Sequence, residues 1–380
     1  MTREPFRLFF PLGIVLGWAG VGHWLLYGLG LTNSYSCLFH GLVQTQAFVL
    51  AFALGFLMTA LPRRTQSAPV SRVELGVAVS ALVAMPLAAA LEHWAIAEAC
   101  VLTMQGVLLC FALPRLFGRG AARRPPASFV LLPWSLAMGV VGSATILGWA
   151  LGVVSPERLG LARLLAEQGA PICLVVGAGR LILPLVTGQD PPRDMDGSPA
   201  ARRALAAWSA AGLGIAVSLG LEHVGQALPG GLLRAGIVAG CLVHARQPPR
   251  RPGLHRWLVW LAIWLVPVGV LAAALLPDYR VAALHVTFIG GFGTLVLGVA
   301  THVALGHLGL EQQAQGRPAF VVVLAVTLFL ALLARLAADA SQTYFAHLAS
   351  AAGMWLVGST VWLAVLGPRL LRSTDPGKRN

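Results

Sequence analysis

Residues 37–64 read CLFHGLVQTQAFVLAFALGFLMTALPRR, and this stretch decides the fold. From Cys37 to Leu61 there is no charged side chain, and then Arg63 and Arg64 arrive together. A helix rises about 1.5 Å per residue, so such a run crosses a hydrocarbon core of about 30 Å. Similar runs lie near residues 8–31, 73–91, 95–114, 128–153, 162–187, 203–221, 230–245, 257–276, 281–304, 319–338 and 344–370. The chain has 380 residues, of which 57% are hydrophobic and 11% charged, with a mean hydropathy of +0.77. A soluble chain carries about 25% charged residues. The bilayer must therefore be the main solvent, which excludes a β-barrel, a disulfide scaffold and a two-domain soluble enzyme. The five cysteines sit mostly in apolar runs without a paired framework, so no disulfides are expected.

The expected fold is all-α: a polytopic transmembrane helical bundle of about 12 helices, forming a single transmembrane domain over residues 1–380. Basic residues test that count. Alternate loops carry Arg3 and Arg7; Arg63, Arg64 and Arg72; Arg115, Arg119, Arg123 and Arg124; Arg193, Arg202 and Arg203; Arg246, Arg250, Arg251 and Arg256; Arg317; and Arg369, Arg372, Lys378 and Arg379. The intervening loops hold only Arg158, Arg163 and Arg280. The positive-inside rule then places both N- and C-termini in the cytoplasm. Residues 1–7 are too short, and too soon followed by an apolar span, to be a cleavable signal peptide. The net charge of +13 forms no stripe or block, so no nucleic-acid partner is expected. Leu91-Glu92-His93 and Leu221-Glu222-His223 recur 130 residues apart, whereas His40 and His285 are 245 apart. The offsets disagree and give no internal repeat.

Mapped onto this topology, six of the ten histidines gather at one membrane level. His40, His285 and His347 open helices 2, 10 and 12; His93 and His223 end helices 3 and 7; His23 lies near the end of helix 1. Imidazole ligates haem iron and copper, and helical bundles build such sites from facing helices. The imidazoles of His40, His93, His223, His285 and His347 are expected to line one cavity. The plainer reading is interfacial histidine bonded to carbonyls or headgroups. His244 and His255 flank an Arg-rich loop and read as solvated; His302 and His307 close helix 10 at the opposite level. Cys37 reads as a small hydrophobe. Gln44, one turn after His40, could orient its imidazole or a ligand, or bond a neighbouring helix.

Arg180, Arg234 and Arg335 interrupt apolar runs, and a buried guanidinium needs a partner. Glu92, Glu98, Glu222 and Asp339 are the nearest carboxylates, and the propionates of a haem would also serve Arg234 and Arg335. Glu92 and Glu222, beside His93 and His223, are candidate proton relays or else exposed boundary carboxylates.

Four segments carry a resemblance to a known family. They are Pro5-Phe6-Arg7-Leu8-Phe9-Phe10; helix 2 from His40 to Gly55-Phe56-Leu57-Met58-Thr59-Ala60-Leu61-Pro62; helix 10 from Leu284-His285 through Gly290 and Gly293-Thr294 to Leu305-Gly306-His307-Leu308-Gly309; and Gly179-Arg180-Leu181-Ile182. In these the chain resembles the NnrS family, membrane proteins associated with haem, copper and the bacterial response to nitric oxide. The family motif opens helix 2 with His-Ala-His-Glu, whereas this chain has His40-Gly41-Leu42-Val43, the mark of a divergent branch. The resemblance supports His40, His285 and His307 individually; His93, His223 and His347 rest on topology alone.

The resemblance implies a haem protein, with copper as a second metal, in the bacterial inner (cytoplasmic) membrane. It would bind or reduce nitric oxide, or protect against nitrosative stress, with His40 and His285 as haem ligands, either opposite one another or on neighbouring haems. Nitric oxide reductase-like turnover, as in denitrification, would further require an electron donor, which the sequence does not identify. The alternative is a metal or haem transporter, a class that usually shows two six-helix repeats and a midplane site.

Overall fold

The computed structural model describes residues 4–117 and 124–372. Arg3, Arg119, Arg123, Lys378 and Arg379 of the charge pattern lie outside the described residues. Among the described residues the structure is all-helical with no strand, and twelve helices are long and apolar enough to cross a membrane. They are α1 (Phe6–Gly28), α2 (Cys37–Thr65), α3 (Arg72–Ala90), α4 (Trp94–Leu116), α5 (Ala127–Ala150), α6 (Pro156–Thr187), α7 (Pro199–His223), α8 (Ala227–Ala245), α9 (Leu254–Leu275), α10 (Pro277–His307), α11 (Ala319–Ala338) and α12 (Tyr344–Leu371). This is a multi-pass membrane protein.

Helix starts follow capping chemistry. Ser36 accepts from the Phe39 backbone N–H at 3.1 Å and opens α2, and Ser198 does the same for Ala201 at α7. Ser71 and Glu74 form a reciprocal capping box at α3. Gly188 takes φ 77° to end α6, a conformation that costs glycine little. Helix α6 begins before the expected residue 162 because a 3₁₀ turn, Pro156–Arg158, precedes its apolar run.

The twelve spans fall into three consecutive sets of four. In each set the second helix contains a π-helical stretch: Gln44–Val49 in α2, Leu164–Gly169 in α6 and Val286–Gly293 in α10. These stretches begin 120 and 122 residues apart. The same three helices are the most deeply packed, with 72%, 72% and 61% of their most apolar stretch buried, against 50% or less for every other span. Packing repeats as well. Within sets, α1 meets α2, α5 meets α6 and α9 meets α10; across sets, α4 meets α5, α8 meets α9, and α12 returns to α1. The bundle is therefore a closed ring around α2, α6 and α10. Sequence keeps a trace in two sets, where Gln46, Gly55 and Pro62 have the spacing of Gln168, Gly177 and Pro184. The expectation of no internal repeat is thus corrected. The His40–His285 offset spans two sets, and the two Leu-Glu-His segments end the third helix of successive sets.

Candidate functional site

A cavity of about 670 Å³ opens among the three central helices at the end of the bundle where α2, α6 and α10 begin. All three π stretches wall it, through Gln44 and Phe48 of α2, Glu167 and Gln168 of α6, and Phe292 and Gly293 of α10. A π turn adds a residue to the helical register and frees a backbone position, which is why such turns concentrate at functional sites.

His40 faces this cavity from the first turn of α2, and His285 from the residue just before the π stretch of α10. Nδ1 of His40 lies 2.7 Å from the Gly20 carbonyl oxygen, and Nδ1 of His285 lies 2.7 Å from that of Val281. A carbonyl only accepts, so Nδ1 carries the proton in both rings and Nε2 keeps its lone pair. That is the tautomer a metal ligand requires, with the backbone as its orienting partner. The ring centres are 6.3 Å apart and the planes 14° from parallel. His23 continues the row, 6.1 Å from His40, and both its buried ring nitrogens lack a hydrogen-bond partner.

Charged groups ring the imidazoles. Arg163 binds Glu167 at 2.7 Å, four residues on in α6. Glu222 is shared between Arg234, at 2.6 Å, and Arg280. Arg335 binds Asp339 at 3.1 Å and lies over the Tyr344 ring. Gly41 matters here, because a Cβ at that position would stand 2.8 Å from Oε1 of Glu167. Its bare backbone lets the carboxylate lie against α2.

Of the five histidines expected to converge, His40, His223 and His285 line the cavity, with His223 exposed at its edge. His93 is exposed and His347 half-buried, and neither is among the lining residues, which corrects that expectation. The reasons differ: His93 lies in the turn after α3, a span with no residue on the cavity wall, whereas α12 reaches the cavity through Tyr344, Leu348 and Trp355 and His347 lies off that face. Glu92 is likewise exposed, with φ 59°. Gln44 bonds the Gly17 carbonyl at 2.8 Å, tying α2 to α1 rather than orienting His40. Arg234 finds its partner in Glu222 and does not line the cavity, whereas Arg335 does.

His307 sits at the other end of the bundle, bonded to Arg63 and packed on Phe6. His255, expected to be solvated, is fully buried and pairs through Nε2 with Nδ1 of His302 at 3.1 Å. His244 is half-buried, its Nδ1 donating to the Cys241 carbonyl. The α8–α9 loop is bonded to neighbouring helix ends rather than hanging free, through Arg250 N–H to the Thr187 carbonyl and Leu254 N–H to the Gly316 carbonyl. Among the described residues, no group of three or more His, Cys, Asp or Glu side chains is arranged to hold a metal ion.

Sequence reasoning passed over Glu167 and Arg163 as site residues. The signal was available: a carboxylate inside an apolar run, one helical turn after an arginine.

The sequence profile of the NnrS protein family matches residues 1–373. The chain belongs to the NnrS family. No curated protein matches it. In this NnrS protein Leu42 and Val43 are fully buried in apolar packing, so the two positions after His40-Gly41 contribute nothing to the cavity.

Proposed function

We propose that this cavity holds haem, with copper as an accompanying metal, and that the protein binds or reduces nitric oxide, or protects the cell from it, in the bacterial inner membrane. The single observation behind this reading is the His40–His285 pair. A metal–imidazole bond is about 2 Å, and a ring nitrogen lies about 1 Å from its ring centre, so two imidazoles opposed across one metal have centres about 6 Å apart. The 6.3 Å separation matches that distance. The lining is largely apolar, and Arg163, Arg280 and Arg335 offer guanidiniums to carboxylate substituents. His23 is the nearest further imidazole for copper.

Haem, when bound, would supply the ligand-binding and redox chemistry that nitric oxide handling needs. The chain's own residues hold and orient. Gly20 and Val281 fix the two ring tautomers, Gln44 pins α2 to α1, and Phe48, Phe288 and Phe292 keep water from the centre. Nitric oxide is small, neutral and apolar, and so partitions into the bilayer. Beside the main cavity lies an apolar pocket of about 70 Å³, lined by Phe10, Phe52 and Val296, with Val49 on the wall of both. It offers such a molecule a dry antechamber.

The test is the visible spectrum of the purified protein. A Soret band that shifts on addition of nitric oxide supports the reading. Colourless protein with bound copper would overturn the haem assignment and favour metal transport.

A further inference from the structure

Behind the cavity wall, Glu98 of α4 is completely buried within a membrane span. Its Oε2 accepts a hydrogen bond from Nε2 of Gln46 at 3.4 Å, and the same amide donates to the Ser143 hydroxyl of α5 at 3.0 Å. Among the described residues no arginine, lysine or histidine forms an ion pair with it. Sequence reasoning had offered Glu98 as a partner for the buried arginines, but Arg234 and Arg335 are taken by Glu222 and Asp339. Two acceptors in this cluster, Oε1 of Glu98 and Oε1 of Gln46, are buried with no partner.

An unpaired carboxylate is too costly to keep charged inside a membrane protein, where the group neutralises by taking up a proton. A structural carboxyl serving only as a hydrogen-bond acceptor would be replaced at lower cost by an amide. The neighbourhood also continues toward the cavity. Gln46 lies on the π stretch of α2, which packs on the π stretch of α6. That second stretch contributes Glu167 and Gln168 to the cavity wall, and Oε1 of Gln168 is again buried without a partner. Unpartnered acceptors on both sides of the wall are the groups that ordered internal water would satisfy.

We propose that Glu98 is a proton-binding site that exchanges its proton with the cavity by way of Gln46 and Glu167. In the transfer, the O–H bond of the Glu98 carboxyl breaks and one forms at the Glu167 carboxylate, through water held against the Gln46 and Gln168 amides. No electron moves, and the inference does not depend on what occupies the cavity.

Infrared spectroscopy of the purified protein tests it. Wild type shows a deuterium-sensitive carbonyl stretch of a protonated carboxyl at neutral pH. That band disappears in Glu98→Gln and persists in Glu222→Gln, whose carboxylate is held by two arginines. Gln46→Leu keeps the band but slows its deuterium exchange at least tenfold, and Ser143→Ala serves in its place if that variant does not fold. The inference is overturned if no band is lost in Glu98→Gln, or if exchange is equally fast with the Gln46 link removed.

Discussion

His40 and His285 stand on two of the three central helices with ring centres 6.3 Å apart, each Nδ1 committed to a backbone carbonyl 2.7 Å away. Neither ring makes a bond that would have to break before its Nε2 engages a ligand. The two residues hold nearly the same place in their sets of four spans, one just before each π stretch. In the remaining set Arg163 stands at that level, paired to Glu167. The positions just before the three π stretches thus carry two imidazoles and one guanidinium.

Glu222 and Arg234 are 7% and 2% exposed at the side chain, so this pair is effectively out of water. Removing one partner of a buried pair typically costs about 3–5 kcal/mol, because the other charge is stranded. Glu222→Gln is expected to lower the thermal midpoint in detergent, while Glu222→Met combined with Arg234→Met recovers most of the loss. A negligible effect of the single change would show that Arg234 is held by something other than Glu222.

The twelve spans and the common level of six histidines were readable from hydropathy and spacing alone. Convergence was not, because depth in the membrane says nothing about which helix face meets the cavity: His93 follows a peripheral helix, and His347 lies off the face by which Tyr344, Leu348 and Trp355 of α12 line the cavity. The π stretches have no sequence signature in composition or period. The set-of-four repeat escaped because one offset covered a single set and the other covered two, while the matching spacing of Gln46 and Gln168 to their following Gly and Pro went unread. Glu98 stood out as a charge in a span, yet only packing shows that it meets an amide and no cation.

Gly41→Ala places a Cβ 2.8 Å from Oε1 of Glu167. Overpacking of this kind costs about 1–3 kcal/mol, and here it also pushes Glu167 off Arg163. Gly22→Ala, on α1, meets nothing within 4 Å and should be neutral or slightly stabilising. Comparing their melting midpoints checks the contact; equal values would contradict it.

At the other end of the bundle Glu4 ties the start of α1 to α2. Partial burial alone would raise its carboxyl, but hydrogen bonds and charge from Arg7, Arg63 and His307 outweigh that and hold it below the ordinary 4.5. A carboxyl so lowered adds stability above its unfolded value and loses it as pH falls through the folded one. Wild type should therefore lose thermal stability on acidification below about pH 5, and Glu4→Gln should be less stable at neutral pH with a flatter acid limb. A parallel acid limb in the variant would rule out Glu4 as the source.

The most direct test of the account is the visible absorption spectrum of the purified protein and three variants, His40→Ala, His285→Ala and His347→Ala. The cavity reading predicts a Soret band in wild type that is shifted or lost in the first two, where an imidazole that would hold the haem is removed, and unchanged in His347→Ala, whose ring does not line the cavity. Full haem content and an unaltered spectrum in both His40→Ala and His285→Ala would contradict it.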